Sequence, residues 1–188
     1  MAMNESNLDD ALRLITRLLD RSSIAYAVMG GLAARAHGLP RATYDVDLTI
    51  SIDRDRLPEL YRQVEELGFT VPEQFSAGWV DEVSGMPLVK FRWYVNERGI
   101  DIDCFLCESR FQESLLERRR SESIDGWNCD VVTPEDLILL KLISRRPRDL
   151  SDIGDVLFIQ GKLDEAYMRE WARQLDVSEL LEQLLSQS

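Results

Sequence analysis

Two pairs of aspartates in this chain are spaced for metal chemistry, Asp45 with Asp47 and Asp101 with Asp103. Each pair sits in an alternating run. Val46, Leu48, Ile50 and Ile52 alternate with Asp45, Asp47, Thr49 and Ser51, and Ile100, Ile102, Cys104 and Leu106 alternate around Asp101 and Asp103. Such alternation marks a half-buried strand, on which residues two apart leave the same face. Two carboxylates this close repel each other unless a cation or a proton lies between them. Their hard oxygen atoms suit Mg²⁺, which binds through one or two carboxylates together with substrate phosphates. If the two strands lie side by side, three or four carboxylates converge, and such a cluster is costly unless metal neutralises it. Two-metal phosphoryl chemistry uses a cluster of this kind, with ions about 3.5–4 Å apart. For either pair alone, a solvated strand face remains the other reading.

Phosphate-holding groups stand nearby in the sequence. Gly30-Gly31 follows a short apolar run and precedes an Ala-rich segment, so its amides could cradle phosphate oxygens at a helix start. An ordinary turn explains the same dipeptide. Lys141, Arg145, Arg146 and Arg148 form an acid-free basic run in an acidic chain; it suits a triphosphate or an RNA end, or simply a solvated helix end. Arg118, Arg119 and Arg120 close a helix, where cations are favoured anyway. His37 reads as packing or capping at a helix end, and Trp79, Trp93, Trp127 and Trp171 as packing residues. Cys104 and Cys107 have C-x-x-C spacing but lie on a strand, where residues three apart face oppositely. With Cys129 and His37 far off in sequence, zinc is short of ligands, and structural thiols are the better reading.

The elements that must position these groups can be read from periodicity. An apolar stripe of Leu8, Leu12, Ile15, Leu18 and Leu19 predicts a helix over 7–21, with Asn7 as N-cap. A buried strand follows at 24–29, a short helix at 32–37, and a strand at 44–52. A helix is expected over 56–67. Residues 70–87, punctuated by prolines and glycines, suggest a loop or hairpin. Strands at 89–95 and 100–106 form an antiparallel hairpin around Asn96-Glu97-Arg98-Gly99, followed by a helix at 109–120 and a strand at 127–132. From Thr133 the pattern is helical. Thr133-Pro134-Glu135-Asp136 is a helix start, and later helices are expected near 149–159, 163–174 and 178–185. The expected division is an α/β core, residues 1–132, and a C-terminal helical region, residues 133–188, packed on it.

The 188 residues carry 34 acidic and 22 basic side chains, a formal net charge of −12. That argues against a broad basic surface coating nucleic acid, while leaving room for a local grip on one RNA end. Clustered carboxylates would equally suit a polycationic acceptor. No segment has the roughly 18 continuous apolar residues of a membrane span. The polar start lacks a signal peptide's features, so a cytoplasmic setting with reduced thiols is expected.

Together the motifs resemble the nucleotidyltransferase superfamily. Its signature is an apolar residue, Gly-Gly or Gly-Ser, a gap of about ten residues, then Asp-x-Asp or Asp-x-Glu, with a third Asp on a later strand. Met29-Gly30-Gly31, thirteen residues, then Asp45-Val46-Asp47 follows that order with a gap at the long end. Arg41-Ala42-Thr43-Tyr44-Asp45-Val46-Asp47 resembles the Arg-x-Thr-x-Asp-x-Asp form of a toxin-like branch around the abortive-infection AbiE toxin. Residues 133–141, ending in Lys141, and Arg148-Asp149-Leu150-Ser151-Asp152 resemble that branch's C-terminal motifs. The resemblance spans residues 24 to 160. It implies a DNA polymerase beta-like mixed sheet flanked by helices, and transfer of a nucleoside monophosphate from an NTP to an acceptor hydroxyl with two Mg²⁺ ions. Asp45, Asp47 and Asp103 would be the metal ligands and catalytic residues, with Asp101 a neighbouring candidate. Gly30, Gly31, Arg41, Thr43, Lys141 and Arg148 would bind the nucleotide. A tRNA end or a protein side chain as acceptor, and an antitoxin partner, follow from the branch. An aminoglycoside- or lincosamide-modifying enzyme and a catalytically silent binding or antitoxin-type module are the alternatives.

Overall fold

The computed structural model describes residues 3–76, 79–82, 84–95 and 98–186. Nearly every alternating run becomes a strand of one mixed sheet. In chain order the strands are β1 (Ala25–Met29), β2 (Val46–Ser51), β3 (Phe69–Thr70), β4 (Trp79–Val80), β5 (Pro87–Val95), β6 (Arg98–Leu106), β7 (Arg120–Ile124) and β8 (Trp127–Val131). The sheet runs β3-β5-β6-β2-β1-β8-β7, with β4 paired to β5. β2 lies antiparallel to β1 and parallel to β6, β5 and β6 form the antiparallel hairpin, and β8 joins parallel to β1. Helices flank the sheet, and the expected α/β class with a mixed sheet is the observed one.

The helices are α1 (Met3–Arg21), α2 (Gly30–Ala36), α3 (Leu57–Glu66), α4 (Glu73–Ser76), α5 (Arg110–Arg118), α6 (Pro134–Ser144), α7 (Pro147–Gln160), α8 (Glu165–Gln174) and α9 (Ser178–Leu185). The expected stripe of α1 buries Leu8, Leu12, Ile15 and Leu19. The helix begins before Asn7, so Asn7 is not its cap. Thr133 caps α6 as expected, its hydroxyl accepting from Asp136 N at 3.3 Å, with Pro134 opening the helix.

Three departures have physical reasons. β7 forms where the sequence reading gave the last turn of a helix and a connection. Asp125-Gly126 supplies two successive positive φ values, 50° and 78°, and turns β7 back into β8. Residues 70–87 contain the short β3, α4 and β4; Ala77, Gly78 and Val83 of that stretch, with Asn96 and Glu97 of the expected hairpin turn, lie outside the described residues. Helix α6 does not present Lys141 on a solvated helix end, because every residue from Pro134 to Leu142 is buried. Its polar members are paired inside the protein. Tyr167 donates to Asp136 at 2.6 Å, Thr133 donates to the other Asp136 oxygen at 2.6 Å, and Arg118 lies over the Tyr167 ring.

Candidate active site

Strand register brings the carboxylates together. The parallel β2–β6 pairing sets Asp47 beside Asp103, and the β1–β2 pairing sets Met29 beside Asp47, so Gly30 follows directly at the strand end. Asp45 stands in the bend just before β2. Asp45, Asp47 and Asp103 line one cleft of about 220 Å³ together with Met29, Gly30, Gly31 and Thr43. Asp101 is held elsewhere. Its two oxygens accept from Arg92 at 2.5 and 3.0 Å, and that guanidinium keeps its carboxyl below the ordinary carboxylate range.

Gly30-Gly31 is required by its neighbours as much as by any ligand. Gly30 has φ +64°, and a Cβ there would stand 2.0 Å from Asp47 Oδ2. A Cβ on Gly31 would meet Thr43 Oγ1 at 2.6 Å. The two glycines thus let the Asp47 carboxylate and the Thr43 side chain pack against the start of α2. Thr43 in turn donates to Asp45 Oδ1 at 2.8 Å, which orients the first carboxylate of the pair.

The cluster carries a charge problem of the kind that cations relieve. Burial, then the charges of Asp45 and Asp103, push the Asp47 carboxyl up to about 7. Burial also raises Asp103, only partly offset by Lys90. Lys90 stands opposite Asp103 in the β5–β6 register, its Nζ 2.9 Å from Asp103 Oδ1 and 3.5 Å from Asp101 Oδ2. Among the described residues, no three carboxylate, imidazole or thiol groups stand in a ready-made metal-binding set. The donor chemistry nonetheless fits a hard divalent ion, since carboxylates converge and one cation, Lys90, already stands against them.

The cleft is also lined by cations from the loop before β2, from α6 and from the start of α7. Arg41, Lys141, Arg146 and Arg148 all line it. Arg146 and Arg148 are exposed, whereas Lys141 is 5% exposed and contacts Asp152 Oδ2 at 2.5 Å and Asp149 Oδ1 at 3.3 Å. Arg41 pairs with the same Asp152. Burial works to raise the Asp149 carboxyl, but the Ser144 hydroxyl and the Lys141 charge outweigh it and hold it low. Arg145 leaves the basic run. It caps α6 in a left-handed conformation, φ 52°, and donates to Asp176 O at 2.9 Å.

Several groups lie apart from the cleft. His37 bonds Val132 O at 2.8 Å and ties α2 to the end of β8; burial lowers its pKa. Arg118 pairs with Glu135 and Asp136, and Arg119 with Asp130. Cys104 and Cys129 are buried free thiols. Trp93, Trp127 and Trp171 pack against aromatic or cationic neighbours, while Trp79 is 45% exposed. The sequence reading did not single out Lys90. Its signal lay in the hairpin, since a cation on the strand paired with Asp103 faces that carboxylate once the register is known. Arg146 was read only as one of the basic run.

The chain matches, over residues 8–185, the family described as "Nucleotidyl transferase of unknown function (DUF2204)". Comparison with curated proteins finds no match. Among solved structures, an antigenic nucleotidyltransferase-like protein from Paracoccidioides brasiliensis is 24% identical with TM-score 0.57, covering 82% of this chain and 77% of that one. The antibiotic-resistance factor ANT(2'')-Ia is 17% identical with TM-score 0.61, covering 99% of this chain and 100% of that one. A structure of ANT(2'')-Ia with adenylyl-2''-tobramycin gives TM-score 0.58 at 16% identity, covering 90% of this chain and 98% of that one. Those likenesses are of fold, and the fold is the nucleotidyltransferase fold that the motif resemblance implies. No helix among the described residues is long and apolar enough to cross a membrane. The family match spans nearly the whole chain, cleft included, and the protein belongs to the nucleotidyl transferase family DUF2204.

Proposed function

We propose that this enzyme moves a nucleoside monophosphate from an NTP to an acceptor hydroxyl and releases pyrophosphate. The observation that carries the reading is the mixed lining of one cleft, which gathers Asp45, Asp47 and Asp103 with Arg41, Lys141, Arg146 and Arg148. In this reading Asp45, Asp47 and Asp103 hold divalent metal, Mg²⁺ by the chemistry of their oxygens. The ion, when bound, neutralises phosphate charge and favours loss of pyrophosphate. Gly30 and Gly31 offer backbone N–H groups at the start of α2 to phosphate oxygens, and Thr43 keeps Asp45 in place. Arg146 and Arg148, exposed in the cleft lining, would meet the triphosphate, for which Arg41 and Lys141 are shared with Asp152. Asp103 is the residue assigned to the acceptor's proton. Residues 1–132 then form the catalytic core and residues 133–188 a helical region packed on it.

The acceptor reading follows the toxin-like motifs around Thr43 and Lys141, which favour an RNA end or a protein side chain and an antitoxin partner, in a cytoplasmic setting. A second reading is favoured by the cleft's acidic groups, where Asp81 joins the other carboxylates. Those groups also suit a polycationic antibiotic such as an aminoglycoside. Each labelled NTP, incubated with Mg²⁺ and separately with total tRNA, cell protein and an aminoglycoside panel, tests both. Label on one acceptor class identifies it; no transfer to any, with no nucleotide bound, overturns the enzymatic reading in favour of a silent binding module.

A further inference from the structure

Across β5, β6 and β2 the register sets Lys90, Asp103 and Asp47 in one row. The Lys90 ammonium and the Asp103 carboxylate are both four-fifths buried and in contact at 2.9 Å. Lys90 is not needed to neutralise Asp101, because Arg92 already holds both oxygens of that side chain. Its charge is therefore directed at Asp103. The ammonium thus occupies the Asp103 oxygen that a second ion would need. A second ion beside Asp103 Oδ1 would have to stand against a fixed ammonium, and close like charges in a part-buried site repel strongly.

On the nucleotidyl-transfer reading, we propose that Lys90 is a built-in cation that takes the place of one metal. The three-aspartate metal set then narrows to one divalent ion bound by Asp45 and Asp47, and Lys90, as a positioning residue, orients Asp103 for the acceptor's proton. Lysine can serve here because its compact ammonium is a point charge on a flexible stem.

Mn²⁺ titration of the intact chain, with free ion counted by electron paramagnetic resonance, tests this directly. The wild type is expected to bind one Mn²⁺ per chain. Lys90→Met should bind two, with the first about tenfold tighter once the neighbouring positive charge is gone. Lys90→Arg should return the count to one, which a merely structural loss on removing Lys90 would not produce. Circular dichroism of Lys90→Met checks that it folds; if it does not, the count for the wild type and Lys90→Arg still decides. Two ions in the wild type, or in Lys90→Arg, overturn the inference while leaving nucleotidyl transfer standing. One ion in a folded Lys90→Met also overturns it. No binding by any form removes both this inference and the metal-dependent reading beneath it.

Discussion

Burial and the neighbouring Asp45 and Asp103 charges push the Asp47 carboxyl up to about 7, from the 3.8 of an unperturbed aspartate. Because the folded value is raised, the charged form is disfavoured on folding. The associated stability is fully present below pH about 4 and is lost as pH rises through 7. Asp47→Asn should therefore raise the melting temperature of the metal-free protein at pH 8, by about 2–4 °C for each kcal/mol of repulsion relieved, and by much less at pH 4. Thermal scans at the two pH values check it, and an equal shift at both would point to packing instead. On the proposed function the same substitution, like Asp45→Asn, should abolish transfer by removing a ligand of the metal; kinetics beside the thermal scan separates loss of chemistry from loss of fold. Gly30→Ala should fail on both counts. Its positive φ alone costs about 1–2 kcal/mol for a residue with a Cβ, and Asp47 would have to move aside. The aspartates were legible because strand alternation fixes which side chains share a face. Lys90 was not, since its meaning depends on which β5 residue stands opposite Asp103, and that is set by the hairpin's pairing rather than by local pattern.

Helices α6 and α7 meet the cleft through a buried network in which Lys141 serves Asp149 and Asp152, Asp152 also takes Arg41, and Ser144 donates to Asp149. Removing one partner of a buried ionic group leaves the others uncompensated, a loss of about 3–5 kcal/mol. Lys141→Met is expected to lower the unfolding free energy on that scale. Arg146→Gln and Arg148→Gln, exposed and lining the cleft, should leave stability nearly unchanged and raise the KM for nucleotide instead. Denaturant unfolding alongside nucleotide kinetics discriminates them, and a Lys141→Met of normal stability would mean that the brace carries no weight. The start of α6 could be read from Thr133 and Pro134, and its end falls at the expected basic run. Its burial could not. Glu135, Asp136 and Lys141 look like surface residues until the partners that satisfy them, Arg118, Tyr167, Asp149 and Asp152, are brought in from elsewhere in the chain. β7 was missed for a more local reason, because Asp125-Gly126 is a hairpin turn signal flanked on one side by Ser121-Glu122-Ser123, which lacks apolar alternation.

Ligand binding should be cooperative at the scale of the whole molecule. Acidic and basic groups line one cleft, so on the proposed function metal and triphosphate each complete the other's site. Mg²⁺ with the correct NTP should stabilise the fold by more than the two do separately, about 2.7 kcal/mol at a hundredfold excess over Kd. Differential scanning with each of the four ribonucleotides measures it, and the nucleotide giving the largest shift names the donor base. Simple additivity for all four would mean that the two sets of groups do not act on a shared ligand. Fold class was legible at this scale from strand alternation and helix stripes, but strand order was not. The central β6-β2-β1-β8 run joins segments from four separate parts of the chain, and nothing local says that β8 will slip in parallel beside β1.

The ion pair between Arg41 and Asp152 joins residues 111 positions apart, which gives the cleft a history during synthesis. A growing chain holds Asp45, Asp47 and Asp103 once the last of them has emerged, whereas the partner of Arg41 arrives only with Asp152. At ordinary elongation rates of about 5–20 residues per second, that interval lasts roughly 2–10 s. On the proposed function the nascent chain would lack throughout it the cations of α6 and α7 that meet the triphosphate, so transfer would await translation of α7.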